Sequence, residues 1–530
     1  MTTASISGTL PRVLVHVSIV IAVVILTFLT HTPDFDLWAR LAVGSIVFQT
    51  GHVLRHDIFS YLPTKALWVD HEWGSGVVLY GFVRCFGDHG LFLVKGLLLY
   101  AIFLMVLKTS NASENKKSPS ALYFAFLGYA LFPGIASLVR SQMFTYLFFM
   151  VWLTSLERIR RQGRKILWVF PVTMLFWVNM HGGFVAGLGL VLLYAVGDLL
   201  NRRSLWPYLW IGLSVLPVML INPYGFALWR YIIEASFMPR PFIPEWNSFS
   251  LGGPRQIIGG IPVHHLTGFM LLVGMTAGAA LRSMLRKERP DWTRVVVLAG
   301  LLVLGVRHQR HVVFFTLAAS TLMVDRFDGL LDPLRRLLAR LFPQRSAKIQ
   351  TGARWGLGYL LPALVFIFII PKLTYRVNID YRQSPVGSLE FVKQNGLSGN
   401  LATSFDWGSY ASWKLYPQCK VMLDGRYEEV YPDDVFDVAI RFAVRKDSWW
   451  EALTRFPTDI VVLPKYFYSR MDLAQLPDWR PVYEDFVSVV LLPRDKLAGA
   501  YLRPDFRDPA YSREDLAKPV LIAPSPNQGL

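Results

Sequence analysis

The chain has 530 residues, of which 53% are hydrophobic and 14% aromatic, and its formal net charge is +17. This composition is too apolar for a soluble protein and predicts an integral membrane protein. A basic surface can bind nucleic acid, but these lysines and arginines stand in short segments between apolar runs, so we predict no nucleic-acid partner. The cysteines, Cys85 and Cys419, are too few for a disulfide framework or a cysteine-based metal site.

Apolar runs with the composition of membrane-spanning helices recur through the first 371 residues. Eleven are found, at 13–30, 90–107, 121–139, 142–157, 166–180, 183–200, 205–222, 264–284, 293–306, 311–325 and 355–371. The stretch 74–88 is helical in pattern but short and rich in glycine, so we predict a helix that lies along the membrane surface. With this assignment the basic segments fall on the cytoplasmic face, as the positive-inside rule requires, and the N-terminus is cytoplasmic.

Beyond the last run the composition becomes a mixture of polar and apolar residues. Short runs at 420–423 and 459–463 are typical of strands, and we predict an extracytoplasmic α/β domain over 372–530 with a loosely ordered tail from about 505. Before the last run, 326–346 has the pattern of an amphipathic helix on the inner leaflet. The predicted fold class is a polytopic α-helical membrane protein of about 11 transmembrane helices, over 1–371, with this C-terminal α/β domain.

The predicted outer loop 31–88 is rich in acids although the rest of the chain has few. Asp34 and Asp36 stand at the exit of the first run, and further acids follow in the loop. An acid held at this depth loses hydration, which raises its pKa and suits it to accept a proton near neutral pH. We predict Asp36 as a catalytic base, with Asp34 as the alternative. Either residue could instead cap the helix that follows.

The other polar groups of the predicted outer face are candidates for substrate binding. A guanidinium at the outer end of a span suits a phosphate or diphosphate, to which it can donate two parallel hydrogen bonds. The carboxylates and imidazoles of the loop could orient an acceptor or hold a divalent cation such as Mg²⁺ or Mn²⁺, and hydrogen bonds that pack the loop explain them equally. The predicted substrate-binding residues are Asp57, His71, Glu72, Arg140, Gln142, His181, Glu245, Arg307, His308, Arg310 and His311.

One stretch carries a family resemblance. The pattern DFDLWARLAVGSIVFQTGHVLRHDIFSY at 34–61, followed by WVDHEW at 68–73, resembles the first outer loop of GT-C type membrane glycosyltransferases. This group includes oligosaccharyltransferases, protein mannosyltransferases and lipid A aminoarabinose transferases. The resemblance implies many spans, an outer C-terminal domain, and transfer of a sugar from a polyprenyl phosphate or diphosphate with inversion at the anomeric carbon. By position, the family's acceptor-activating acid matches Asp36, or Asp34 in another register.

The sequence therefore predicts an inverting glycosyltransferase that moves a polyprenyl-linked sugar to a glycan, lipid or protein acceptor at the outer face of the bacterial inner membrane. The nearest approach to the WWD motif of oligosaccharyltransferases is Asp406-Trp407-Gly408, which argues against a glycosylation sequon as acceptor. Three alternatives stay open. They are a flippase or transporter for a lipid-linked saccharide, a non-catalytic subunit of a polysaccharide assembly complex, and an O-antigen ligase or polymerase.

Overall fold

A helical bundle is followed by an α/β unit in the part of the chain that the structure describes. This computed structural model describes residues 10–29, 33–111, 127, 139–238, 240, 243–258, 261–323, 326–327, 330, 337, 340–341, 367, 379, 383–468 and 476–497. The predicted runs 121–139 and 355–371, the predicted surface helix 326–346 and the tail from 505 lie outside these residues, apart from isolated positions.

The bundle consists of helices that follow the predicted apolar runs closely. Their bounds are α1 (Leu10–Leu29), α2 (Phe35–Thr50), α3 (Trp73–Phe86), α4 (His89–Asn111), α5 (Gln142–Gln162), α6 (Val169–Met180), α7 (Phe184–Leu200), α8 (Trp206–Val218), α9 (Phe226–Phe237), α10 (Thr267–Leu285), α11 (Trp292–Arg307) and α12 (Val312–Leu322). Helix α9 and the antiparallel hairpin of β1 (Arg255–Ile258) and β2 (Ile261–His264) were not predicted.

Among the described residues, two helices are long and apolar enough to cross a membrane by themselves, His89–Thr109 and Thr267–Leu285. Helices α6, α7 and α8 and part of α1 are apolar but shorter. The fold is thus mostly helical, as predicted, whereas the number of eleven spans stays a prediction.

Helices α2 and α3 lie side by side in backbone contact. A Cβ on Gly44 would overlap the carbonyl oxygen of Gly76, so glycine at this crossing lets the two helices meet. Helix α2 ends at Gly51, whose φ of 70° is a left-handed conformation that glycine adopts without strain. Helix α3 has 14 residues and is about 21 Å long, shorter than the hydrocarbon core of a bilayer.

The C-terminal unit is built on a five-stranded sheet with the order β4-β3-β5-β7-β6. Its elements are α13 (Val386–Gln394), β3 (Gly399–Thr403), α14 (Phe405–Leu415), β4 (Cys419–Val421), α15 (Tyr427–Val430), α16 (Asp433–Ala443), α17 (Glu451–Arg455), β5 (Ile460–Pro464), α18 (Lys465–Tyr468), β6 (Trp479–Glu484), β7 (Ser488–Pro493) and α19 (Arg494–Leu497). Strand β3 pairs in parallel with both β4 and β5. Strand β7 pairs in antiparallel orientation with both β5 and β6. The runs predicted as strands, 420–423 and 459–463, overlap β4 and β5.

The connection between α2 and α3 is held against this unit. The backbone N–H of Tyr61 donates to Val421 O at 3.2 Å, and the N–H of Val421 donates to Phe59 O at 2.8 Å. Helix α14 packs on α2, where the rings of Trp38 and Tyr410 lie 4.9 Å apart. The C-terminal unit therefore holds both the connection between α2 and α3 and helix α2, whose first turn carries Asp36.

Candidate active site

The two aspartates at the start of α2 have different environments. Asp34 Oδ1 accepts a hydrogen bond from the backbone N–H of Asp36 at 3.0 Å, which caps the helix. Asp34 Oδ2 lies 3.6 Å from a guanidinium nitrogen of Arg140. Both oxygens of Asp34 therefore have partners. The capping role that the sequence left open for either acid belongs to Asp34.

Asp36 is the acid that stays available. Its side chain is exposed, and its carboxylate makes no hydrogen bond or ion pair with the part of the chain that the structure describes. On one side it lies against the C-terminal unit, where a Cβ on Gly425 would overlap Asp36 Oδ1. The protein on this side removes part of the hydration of the carboxylate, and this loss, followed by the negative charges of Asp34 and Glu72, raises the pKa of Asp36 above its ordinary 3.8. Such a carboxyl suits proton transfer near neutral pH.

Beside these acids, two arginines share one carboxylate. Arg140 donates to Glu245 Oε2 at 2.9 Å, and a guanidinium nitrogen of Arg310 lies 3.7 Å from Glu245 Oε1. Burial alone would raise the pKa of Glu245, but the charges of Arg140 and then Arg310 lower it below its ordinary value. Two cations from separate segments thus converge on one anionic position next to Asp34.

The short turn Pro244–Trp246, which carries this carboxylate, is held by contacts to its indole. The guanidinium groups of Arg240 and Arg310 lie 4.2 Å and 4.5 Å from the centre of the Trp246 ring. Each is a cation–π contact. His308 Nδ1 is 2.7 Å from Trp246 O. Of the three residues that hold the turn, Arg310 and His308 are predicted substrate-binding residues, whereas Arg240 is not.

Gln142 and His311 lie at the edges of this cluster. Gln142 is the first residue of α5, it is buried, and its Oε1 has no hydrogen-bond partner within the described residues. An unpaired buried amide oxygen is uncommon, because it loses hydration without compensation. Burial, followed by the charges of Arg310 and His308, lowers the pKa of His311 to about 3, so the imidazole is neutral.

A second cluster of charges joins α2 to the C-terminal unit. Arg40 contacts three carboxylates, with nitrogen–oxygen distances of 2.5 Å to Asp70, 3.3 Å to Glu72 and 3.5 Å to Glu429. The side chains of Arg40 and Asp70 are 4% and 0% exposed. Removal of one member of such a buried group leaves an uncompensated charge and destabilises a protein by about 3–5 kcal/mol. Sequence analysis identified neither Arg40 nor Glu429 as part of the site.

His71 and Glu429 form a charged pair within this cluster. His71 Nδ1 lies 3.3 Å from Glu429 Oε1. Burial alone would lower the pKa of His71, but the charge and hydrogen bond of Glu429, followed by the charge of Glu72, raise it to about 9. Burial alone would raise the pKa of Glu429, but Arg40 and His71 lower it to about 2. Both groups are therefore ionised at neutral pH.

His181 connects Glu72 to the bundle and is neutral. Burial lowers its pKa to about 3 despite the opposing charge of Glu72. Its Nδ1 accepts a hydrogen bond from the backbone N–H of Gly183 at 2.8 Å and lies 3.0 Å from Thr145 Oγ1. The proton is therefore on Nε2, 3.2 Å from Glu72 Oε1. His181 holds one oxygen of Glu72 while Arg40 holds the other.

Two of the predicted substrate-binding residues lie apart from these clusters. Asp57 is buried in an ion pair with Arg426, 2.6 Å away, and Arg426 also pairs with Asp424 at 2.6 Å. This arrangement fastens the loop to the C-terminal unit. The side chain of Arg307 is exposed and makes no ion pair or hydrogen bond with the described residues, although its backbone oxygen accepts from Ser248.

The residues of the site do not form a ready cation site. Within the described ranges, no group of three or more His, Cys, Asp or Glu side chains is arranged to hold a metal ion. The carboxylates of Asp34 and Glu245 instead face the guanidinium of Arg140. A divalent cation would have to displace this arginine to reach them.

Comparison with known proteins shows which solved structures have a similar fold. No protein-family sequence model matches the chain, and no curated protein matches it in sequence. Its structure matches ArnT from Cupriavidus metallidurans bound to undecaprenyl phosphate, with a TM-score of 0.53, 13% identity, and coverage of 92% of this chain and 98% of that one. It also matches the oligosaccharyltransferase AglB from Archaeoglobus fulgidus in complex with an inhibitory peptide and a dolichol-phosphate, with a TM-score of 0.58, 10% identity, and coverage of 88% and 70%.

The Archaeoglobus fulgidus oligosaccharyltransferase has also been solved with zinc and sulfate, and that structure matches with a TM-score of 0.51, 10% identity, and coverage of 87% and 69%. These proteins are GT-C glycosyltransferases. The chain therefore shares the fold of these GT-C glycosyltransferases, in agreement with the resemblance carried by its sequence. At such low identity the likeness establishes the fold and leaves the reaction to be argued from the site.

Proposed function

We propose that the protein is an inverting glycosyltransferase that takes a sugar from a polyprenyl phosphate or diphosphate carrier. One observation carries this proposal: Asp36 has an accessible, unpaired carboxylate two residues from Asp34, and Asp34 faces Arg140, which converges with Arg310 on one carboxylate. A base next to a phosphate-binding position is what transfer from a phosphate-linked sugar to a hydroxyl requires. The carriers named with the two matching proteins, undecaprenyl phosphate and dolichol-phosphate, support the choice of donor.

In the proposed reaction, Asp36 takes the proton of an acceptor hydroxyl as its oxygen attacks the anomeric carbon. The bond between that carbon and the phosphate oxygen breaks on the opposite face of the sugar. The electron pair stays on the phosphate, whose growing negative charge is stabilised by the guanidinium groups of Arg140 and Arg310. The products are the glycosylated acceptor and the polyprenyl phosphate or diphosphate.

Glu245 is the group that the donor phosphate has to replace. It occupies the position between Arg140 and Arg310, and its side chain is 31% exposed, so it can move into solvent. A phosphate carries three acceptor oxygens and offers both arginines stronger partners than one carboxylate does. The unpaired Oε1 of Gln142 can accept a hydrogen bond from a hydroxyl of the bound sugar.

The second cluster positions the loop behind the base. Arg40 and His181 hold the two oxygens of Glu72, and Glu429 extends this group into the C-terminal unit. We propose that Asp57 and His71 support the loop through their ion pairs instead of touching substrate. The basic segments between the helices support an orientation with this site on the extracytoplasmic side of a bacterial inner membrane and the N-terminus in the cytoplasm.

Binding of undecaprenyl phosphate to the purified full chain in lipid nanodiscs tests the anion position directly. Arg310→Gln is expected to weaken this binding about tenfold, because it removes one charged donor. Arg307→Gln is the matched control, since the side chain of that arginine is exposed and makes no ion pair or hydrogen bond with the described residues. Its affinity should stay within about twofold of wild type. Equal weakening in both variants, or no binding by the wild-type protein, would overturn the proposal.

A further inference from the structure

A cavity of about 270 Å³ lies between the ends of α4 and α5, far from Asp36. Arg140 directly precedes α5 and Gln162 ends it, so about 31 Å of helix separate this cavity from the proposed active site. Its lining residues are Lys108, Thr109, Glu157, Arg158, Arg161 and Gln162. A water molecule takes about 30 Å³ of liquid, so the cavity has room for a group several times that size.

Among the described residues that line the cavity, the only acid is Glu157, and its charge is already neutralised. Glu157 Oε1 accepts from Arg160 at 3.2 Å and from the hydroxyl of Tyr194 at 3.0 Å. Its Oε2 accepts from Arg161 at 3.1 Å. Arg161 also donates to the backbone oxygen of Thr109 at 3.3 Å, which holds its guanidinium at the cavity wall.

Two basic side chains of the lining lack an ion pair or hydrogen bond with the described residues. Lys108 and Arg158 are exposed, and neither makes an ion pair or hydrogen bond with the described residues. Within the described residues, the cavity therefore combines two positive charges that have no acidic partner with a positioned arginine and the neutral side chain of Gln162. Such a set attracts an anion with several acceptor oxygens, and the planar guanidinium groups favour a phosphate.

We propose that this cavity binds a phosphate group, brought by the headgroup of an anionic lipid or as soluble phosphate. Its place at the helix ends favours the lipid, because basic pockets between membrane helices match the anionic headgroups of the adjacent leaflet. The proposal does not depend on the glycosyltransferase reaction, since none of the lining residues belongs to the site around Asp36.

The test uses the full-length protein in nanodiscs of phosphatidylcholine with and without phosphatidylglycerol, with bound lipid counted by native mass spectrometry. Lys108→Gln combined with Arg158→Gln is expected to reduce retained phosphatidylglycerol about tenfold. The matched control is Arg286→Gln combined with Lys287→Gln. It removes the same charge beyond the end of α10, outside the cavity lining. Retention in the control should stay within about twofold of wild type.

A second measurement in detergent separates the two sources of phosphate. If inorganic phosphate raises the melting temperature of the wild-type protein but not that of the Lys108/Arg158 variant, soluble phosphate is a ligand of the cavity. If only phosphatidylglycerol does so, the ligand is the lipid headgroup. Equal loss of lipid in the cavity variant and the control would attribute binding to general surface charge and overturn the proposal. So would a wild-type protein that responds to neither probe.

Discussion

The carboxylate of Asp34 accepts a hydrogen bond from the backbone N–H of Asp36 at 3.0 Å, and this contact gives the two acids different roles. Asp34 caps α2 and faces Arg140, so its oxygens already have partners. Asp36, two residues on, has no such partner within the described residues and is exposed. Asp34 thus caps the helix through the backbone of Asp36 and leaves the carboxylate of Asp36 free to react.

Replacement of Asp34 by Asn tests this division. Asparagine caps helices as well as aspartate does, so the start of α2 should be kept while the charge beside Arg140 is lost. We expect Asp34→Asn to retain transfer within about tenfold of wild type, since it changes no proton-transfer group. Asp34→Ala should in addition lower stability by about 1 kcal/mol through loss of the cap. Release of the carrier and thermal unfolding measure the two effects. An inactive but stably folded Asp34→Asn protein would assign the base to Asp34.

Glu245 competes with the donor phosphate for Arg140 and Arg310. Its replacement by Gln keeps the size of the side chain but removes the charge that both guanidinium groups face. We expect Glu245→Gln to bind undecaprenyl phosphate roughly tenfold more tightly, because the phosphate then replaces a neutral group. The matched control is exposed Glu234, which pairs with Arg230 one turn away on the same helix and with no other described residue. Weaker binding by Glu245→Gln would show that Glu245 helps to hold the donor.

Gly425 has no side chain at the place where the C-terminal unit meets Asp36. A Cβ there would overlap Asp36 Oδ1, so Gly425→Ala should push the carboxylate aside. We expect a loss of turnover of about 10²-fold, because displacement by about 1 Å is enough for this effect. Gly189→Ala in α7 is the control, since its new Cβ would meet nothing within 4 Å. If both alanine variants turn over alike, the position of Asp36 does not depend on Gly425.

The charged pair of His71 and Glu429 makes stability depend on pH. The folded protein raises the pKa of His71 from 6.5 to about 9, so its stabilising contribution is complete below pH 6.5 and is lost as the pH rises to about 9. This rise corresponds to at most roughly 3 kcal/mol. The pKa of Glu429 is lowered, so its contribution is present above pH 4.5 and is lost as the pH falls towards about 2.

Thermal unfolding between pH 6 and pH 9 measures the His71 contribution. The melting temperature of the wild-type protein should fall across this range, and the fall should be smaller in His71→Gln. His52 is the control, because it is exposed and its hydrogen bonds within the described residues go to Thr50 in its own turn. His52→Gln should keep the wild-type slope. If the melting temperature of His71→Gln falls with pH as steeply as that of the wild-type protein, another group titrates between pH 6 and pH 9.

Local patterns in the sequence were sufficient to predict many of the helices and two of the strands. The helices follow apolar runs, and the strands β4 and β5 follow short apolar segments that were predicted as strands. Asp34 and Asp36 were predicted as site residues because acids are scarce in so apolar a chain. Each of these predictions depended on residues close together in the sequence.

The contacts between distant segments could not be predicted in this way. Arg40 lies on a helix and Glu429 in a short helix far along the chain, and nothing local indicates that their side chains meet. The reason for glycine at 425 is likewise the nearby carboxylate of Asp36, which only the packed structure reveals. Arg307 and Arg310 have the same local signal, and the fold brings only Arg310 to Glu245.

The most direct test of the proposed reaction compares wild-type protein with Asp36→Asn. Both would be placed in nanodiscs with a panel of undecaprenyl-phosphate-linked sugars and membrane-derived acceptors, with released undecaprenyl phosphate and carrier binding measured in the same samples. The account predicts that Asp36→Asn binds the carrier as wild type does but releases it about 10²–10⁴-fold more slowly, the usual contribution of a general base. Release at the wild-type rate by Asp36→Asn would contradict it.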